Sequence, residues 1–86
     1  MPDNFINLTV VTTGEDLNER FNVHEPIHVV KARAMHGLPP GTNPDEFVLE
    51  FEGQPLDGTK KISDYIEQFG WQDGTVLELR PVPIVV

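Results

Sequence analysis

The stretch that decides the fold reads Pro-Ile-His-Val-Val-Lys-Ala-Arg-Ala-Met-His and spans residues 26–36. Ile27, Val30 and Ala34 stand at i, i+3 and i+7 with Met35 beside them, so the spacing predicts a helix with one apolar face. One narrow apolar stripe cannot make a core alone. The helix therefore needs a sheet to lie on, and the remaining segments supply strands.

The residues on either side of this helix predict its ends. Pro26 suits the first helical position, because its missing N–H would have no partner there. Gly37 suits a left-handed C-terminal cap, and Pro39 and Pro40 then prevent the helix from continuing.

Alternating apolar and polar residues predict strands over residues 5–12, 17–23, 46–52 and 75–80. The short link around Gly14, which is able to take a positive φ, makes the first two strands an antiparallel hairpin. We expect a turn at 53–55 and a very short further strand anchored by Leu56. Residues 60–68 predict a single helical turn.

The element order is therefore ββαβββ with one crossover helix, which is an α+β class. A helix between the second and third strands lets the first and last strands pair in parallel in the middle of the sheet. We expect a mixed sheet of four to five strands, one domain over residues 1–80 and a tail over residues 81–86. Two prolines remove two backbone donors from the tail, so we expect it to lie outside the central strands.

Composition limits the classes of function. The chain has 86 residues and no cysteine, which excludes disulfides, thiolate metal sites and a thiol nucleophile. A formal net charge of −8 argues against nucleic acid and anionic membranes and favours a basic protein partner. No signal peptide or membrane-spanning run is visible, so we expect a cytoplasmic protein. We also expect it to be a monomer when alone.

Several short motifs resemble the ubiquitin-like β-grasp family, in order and over nearly the whole chain. Ile62-Ser63-Asp64-Tyr65 is similar to the Leu-Ser-Asp-Tyr of ubiquitin, and residues 52–58 are similar to the glycine-bounded turn before it. Gly37-Leu38-Pro39-Pro40 resembles the Gly-Ile-Pro-Pro that follows the ubiquitin helix. The resemblance implies a ubiquitin-like β-grasp fold.

Two further segments resemble the small ubiquitin-like proteins of bacteria whose genes lie beside E1-like, E2-like and JAB-type peptidase genes. These are residues 6–11, Ile-Asn-Leu-Thr-Val-Val, and residues 69–77, which begin Phe-Gly-Trp. The resemblance implies a protein modifier that is not itself an enzyme and needs no cofactor. Its partners would be the E1-like and E2-like enzymes and a JAB-type or other processing peptidase.

The chain departs from ubiquitin where ubiquitin binds its receptors. Glu50 and Arg80 stand at the positions that match ubiquitin's exposed isoleucine and valine, so we expect ordinary ubiquitin receptors not to bind. The sequence also closes on residues 83–86, Pro-Ile-Val-Val, where a conjugated modifier has Gly-Gly. It either stops short of such a pair or acts without one.

The candidate partner-binding residues form two groups. The first is an acidic outward sheet face, for which a purely solvated face is the alternative. The second is the apolar tail, whose prolines favour an extended form that suits a partner's groove, although it could also fold back on the sheet edge. The acidic face consists of Glu50, Glu52 and Glu78, with Arg80 as a further candidate beside it. The tail consists of Pro81, Val82, Pro83, Ile84, Val85 and Val86.

Other residues suggest sites only weakly. His24, His28 and His36 have no metal-ligand spacing, and we expect solvated histidines. Ser63 with Asp64 is typical of a turn cap rather than of a triad. Two functions compete with the modifier hypothesis: a non-covalent adaptor that binds through the acidic face, and a sulfur carrier, which also needs a terminal Gly-Gly.

Overall fold

The structure is a computed structural model that describes residues 4–83. Its element order is β1 (Phe5–Val11), β2 (Leu17–Asn22), α1 (Ile27–Met35), a 3₁₀ turn (Pro44–Glu46), β3 (Phe47–Phe51), β4 (Gln54–Pro55), α2 (Ile62–Phe69) and β5 (Thr75–Pro81).

The five strands form one mixed sheet in the order β2-β1-β5-β3-β4. β1 and β5 are parallel neighbours at its centre, and the other neighbouring pairs are antiparallel. This confirms the predicted α+β class and the central parallel pair. It also places β5, the last strand within residues 4–83, between β1 and β3.

The core lies between one face of this sheet and the two helices. Ile27, Val30 and Ala34 of α1 are at most 1% exposed, which confirms the predicted apolar face of the helix. The other buried apolar residues are Ile6, Leu8, Val10, Phe21, Leu38, Leu49, Leu56, Ile62, Tyr65, Trp71, Leu77 and Leu79.

The ends of α1 differ from the prediction. Pro26 has φ −72° and ψ 154°, so it is the extended residue before the helix and not its first helical residue. Gly37 does not have a positive φ, so it is not a left-handed cap. Met35 is the last helical residue, and the following His36 keeps right-handed helical angles.

A close contact between two backbone segments explains both Gly37 and Gly14. The N–H of Glu15 donates to the carbonyl of Gly37 at 3.0 Å. A Cβ on Gly14 would lie 2.1 Å from the Gly37 oxygen, and a Cβ on Gly37 would lie 2.2 Å from the Glu15 oxygen. Gly14 does not have a positive φ either. Both positions need glycine because the chains approach closely there.

The second helix is longer than the predicted single turn. α2 spans eight residues, and Ile62 and Tyr65 on it are buried. The carboxylate of Asp64 accepts the Lys61 N–H at 3.0 Å at its start, and Gly70, with φ 70°, ends it. The expected cap role of Asp64 is therefore confirmed.

The turn between β3 and β4 lies one residue earlier than predicted. Glu52 and Gly53 have φ of 49° and 81°, the left-handed pair that a tight hairpin turn requires. Gln54 and Pro55 consequently form β4 instead of the turn. Leu56 follows β4, and its N–H donates to the Leu49 carbonyl at 2.9 Å.

β5 extends beyond the predicted boundary at residue 80, because it includes Pro81. Pro81 lies opposite Phe47, and the next residue, Val82, donates its N–H to the Glu46 carbonyl at 2.7 Å. Hydrogen-bonded and non-hydrogen-bonded pairs alternate along two antiparallel strands. Val82 and Glu46 form a hydrogen-bonded pair, so the preceding pair, Pro81 and Phe47, is a non-hydrogen-bonded one and needs no N–H from Pro81. A proline in the central strand therefore costs no ladder hydrogen bond with β3.

Neither of the helices within residues 4–83 is both long enough and apolar enough to cross a bilayer.

Candidate functional site: the outer sheet face and the root of the tail

Three charged side chains of the candidate site share the sheet face that is turned away from α1. Along β3 and β5 they alternate with the buried Leu49, Leu77 and Leu79. Glu50 pairs with Glu78 across the two strands, and Arg80 pairs with Val48. The structure thus brings Glu50, Glu78 and Arg80 together.

Arg80 bridges the two carboxylates. Its Nε lies 3.5 Å from Oε1 of Glu50, and its Nη2 donates to Oε2 of Glu78. The Arg80 side chain is 56% exposed, so these ion pairs are screened by solvent. The cation cancels one of the two negative charges, and the face is much less acidic than its sequence indicates.

Glu52 is not part of that face. It lies in the left-handed turn after β3, one residue beyond the end of the strand. The predicted face of three outward carboxylates is therefore wrong in its geometry, because the strand ends before its third member.

Exposed apolar residues lie beside the ion-paired group. Val76 and Val11 are 49% and 38% exposed, and Val11 pairs with Glu78 across β1 and β5. Phe5 is also exposed and lies under the guanidinium of Arg20, whose Cζ is 4.2 Å from the ring centroid. The outer face is thus mixed, with apolar, acidic and basic side chains side by side.

The root of the tail lies at one end of the β3–β5 pair, next to an open groove of about 380 Å³. Val82 is 43% exposed there. The groove is lined by Asp45, Glu46, Phe47, Pro81, Val82 and Pro83.

Pairing between β5 and the body ends at this groove for a local reason. The backbone groups of every second residue point toward β5, and Glu46 is one of these residues because it pairs with Val82. The next such residue toward the N-terminus is Pro44, which has no N–H to donate. The Pro44 carbonyl already accepts the N–H of Phe47 within the 3₁₀ turn. The turn therefore offers nothing with which to extend the ladder. Ile84, Val85 and Val86, the rest of the candidate tail, lie outside the described residues.

Asp45 and Glu46 are the site residues that the sequence analysis missed. Both are exposed and stand in the 3₁₀ turn, where the side chain of Asn43 accepts the N–H of Asp45 at 3.0 Å. The sequence placed Asp45 in a loop and Glu46 at a strand end. Only the register of β5 against β3 brings them beside the tail, and composition and periodicity carry no signal for that register.

The remaining sequence candidates have structural roles where the structure describes their contacts. The hydroxyl oxygen of Tyr65 accepts the N–H of Asp57 at 2.7 Å and so joins α2 to the loop after β4. Hydrogen bonds from the hydroxyl and then the N–H of Thr59 hold the pKa of Asp57 below its ordinary value. Trp71 is buried and packs against Phe51 and Tyr65. Within residues 4–83, no group of three His, Asp or Glu side chains is arranged to hold a metal.

Solved structures resemble the whole chain closely in fold. One, described as "Molecular Mimicry of SUMO promotes DNA repair", has a TM-score of 0.72 at 18% identity and covers 93% of this chain and 95% of its own. Caldiarchaeum subterraneum ubiquitin has a TM-score of 0.68 at 22% identity and covers 95% of this chain and 99% of its own. An Arabidopsis thaliana protein, whose structure was determined by combining evolutionary couplings with sparse NMR data, has a TM-score of 0.69 at 16% identity. The match covers 99% of this chain and 95% of that protein's chain.

Sequence comparison adds nothing to this likeness, because no model of a protein family and no curated protein matches the chain. The likeness extends over nearly the full length of each structure, and the strand order and the central parallel pair agree with it. The chain therefore has the ubiquitin-like β-grasp fold.

Proposed function

We propose that this chain is a ubiquitin-like protein modifier of a bacterial E1/E2-type pathway and that it acts through its C-terminal tail. In this role the chain performs no catalysis. An E1-like enzyme activates its carboxyl end, an E2-like enzyme passes it on, and a JAB-type or other peptidase processes it.

The observation that carries the proposal is the position of the end of β5, from which the tail continues. β5 runs through the middle of the sheet, so β3 holds its end, and within residues 4–83 the last hydrogen bond between the two segments is that of Val82, beside an open groove. Pro83 follows without a backbone donor. A rigid body that presents its carboxyl-terminal segment at one edge suits a substrate that must enter an enzyme's active site.

The chemistry of activation is supplied by the partner and by ATP. The carboxylate oxygen at the end of the modifier attacks the α-phosphorus of ATP, and the bond to pyrophosphate breaks. The thiolate of the E1-like enzyme then attacks the acyl carbon and displaces AMP, which leaves a thioester. This chain, which has no cysteine, contributes only the acyl group to that thioester.

The test incubates the protein, with its native carboxyl end confirmed by mass, with a bacterial E1-like enzyme and with ATP. We expect a covalent adduct of the two proteins that a thiol reductant removes, as seen on non-reducing gels and by intact mass. An enzyme whose active-site cysteine is replaced by alanine is the control and forms no adduct. Absence of both adenylate and thioester with an enzyme shown to be active would contradict the proposal.

A non-covalent adaptor is the second candidate, and the exposed apolar residues Val11 and Val76 beside the ion-paired group favour it. Here the tail would only dock, and the outer sheet face would bind the partner. Replacing Glu50 and Glu78 together by alanine should weaken binding, and so should added salt, because salt screens exposed charges. Binding that survives both changes would count against the adaptor.

A further inference from the structure

We propose that the groove at the root of the tail is the docking site for an extended basic segment of the activating partner, in which cationic and aliphatic side chains alternate. This inference rests on the proposed function, since it assumes that a partner approaches the tail. It names the chemistry that the partner presents there.

The inner lining of the groove is apolar. Phe47 is half-buried at the start of β3, and Pro81 lies directly opposite it at the end of β5. Pro83 and the exposed Val82 are the other apolar residues that line the groove. An aliphatic side chain of a partner gains by covering these groups, because apolar area is removed from water on both molecules.

The rim of the groove is acidic and has no compensating cation. Asp45 and Glu46 are the charged lining residues, and neither makes a salt bridge within residues 4–83. Arg80, the cation that lies close by on β5, is engaged by Glu50 and Glu78 on the outer face. Two carboxylates without a salt bridge within residues 4–83 thus stand beside apolar lining residues at this groove.

Charge and shape together select the occupant. Adjacent carboxylates on the rim attract Arg or Lys side chains and repel acidic ones, and the formal net charge of −8 steers such a segment toward the protein. The apolar wall then favours aliphatic side chains between the cations. A segment with only cations would lose the contact with Phe47 and Pro81.

The experiment is a heteronuclear NMR titration with the peptide acetyl-Arg-Val-Arg-Val-amide. We expect shift changes concentrated at the amides of Asp45, Glu46, Phe47 and Val82. Since each exposed ion pair contributes little, the variant Asp45→Asn with Glu46→Gln should bind about three- to tenfold more weakly. The variant Glu15→Gln with Glu67→Gln removes the same charge from exposed positions elsewhere and should bind as the wild type does.

Two further peptides separate the contributions. Acetyl-Glu-Val-Glu-Val-amide should not bind, and acetyl-Arg-Gly-Arg-Gly-amide should bind more weakly than the valine peptide because it lacks the aliphatic contacts. Shift changes that fall on Glu50 and Glu78 instead, or equal affinity of the two double variants, would overturn the inference. The ¹⁵N–¹H spectrum of each variant reports that it is folded.

This outcome is independent of the activation test, because no enzyme is present. Peptide binding in the groove without any thioester would reject the modifier function and retain an acidic docking site for a basic segment. A thioester that forms equally well with both double variants, together with no peptide binding, would reject the docking site and retain the modifier.

Discussion

Gly14 and Gly37 hold the hairpin turn against the end of α1 at a distance that no other residue permits. The carbonyl of each segment stands where the Cβ of the other would be, at 2.1 and 2.2 Å. The hydrogen bond from Glu15 to Gly37 is made in the same place. At this scale the fold depends on the absence of side chains as much as on their packing.

The substitution Gly37→Ala tests this contact. The obstacle is backbone and cannot rotate away, so the hydrogen bond from Glu15 should break and the free energy of unfolding should fall by about 2–3 kcal/mol. Gly58→Ala is the matched control, since its Cβ would meet the His28 Cβ at an ordinary 3.5 Å. We expect that control to be neutral or to stabilise by about 0.5 kcal/mol. Equal urea midpoints for the two variants would contradict the account.

A second prediction concerns the Asp57–Thr59 turn and pH. The folded pKa of Asp57 is lowered from its ordinary value of 3.8, so the contribution of this carboxylate is present above that value and is lost as the pH falls through the folded pKa. Asp57→Asn should therefore be less stable than the wild type in urea at about pH 6, and the difference should shrink as the pH falls through the folded pKa and the Asp57 carboxylate is protonated. A stability difference that stays constant across this range would show that the carboxylate charge plays no part.

Among the elements, α1 shows most directly how sequence becomes fold. Its stripe of Ile27, Val30 and Ala34 is buried against the sheet as the spacing predicts. Val30→Asp would bury a carboxylate without a partner and should cost several kcal/mol, on the order of 4, enough to unfold most of the chain. Ala32→Asp, at an exposed position of the same helix, should cost less than about 1 kcal/mol. Thermal melts followed by circular dichroism distinguish the two; a normal melt for Val30→Asp would mean that the helix face is misassigned.

The elements also differ in how far they could be predicted. β1, β2, β3, β5 and α1 end within two residues of the predicted bounds, because each carries a clear period of 2 or 3.6. α2 was predicted as one turn although Ile62, Tyr65, Ile66 and Phe69 have the i, i+3, i+4, i+7 spacing of a longer helix. This spacing is the feature of the sequence that indicates the full length of α2.

Other features had no signal in a single sequence. The left-handed Glu52 is a non-glycine residue that the hairpin register forces into this conformation. Gly37 is typical of a helix cap in sequence, yet its reason is a contact with Glu15 far along the chain. The acidic rim at Asp45 and Glu46 depends on the register between β3 and β5, which is a long-range property.

For the whole molecule, the topology explains why the carboxyl end is the part to test. β5, the last strand within residues 4–83, lies in the middle of the sheet, so all five described strands are in place before the tail begins. The ion pairs of Arg80 reduce the acidity of the outer face, while the groove at the tail root stays acidic. Both features are the structural basis of the proposal that a partner approaches the protein at the tail.

The measurement that bears most directly on this account is ATP–pyrophosphate exchange by an E1-like enzyme as the concentration of this protein is raised. A modifier with its native carboxyl end should stimulate exchange saturably, because each turnover forms and reverses an acyl adenylate on its tail. The same protein shortened after Pro81 should give only the background rate. Exchange that does not respond to the intact protein, with an enzyme that is active on another substrate, would contradict the central claim.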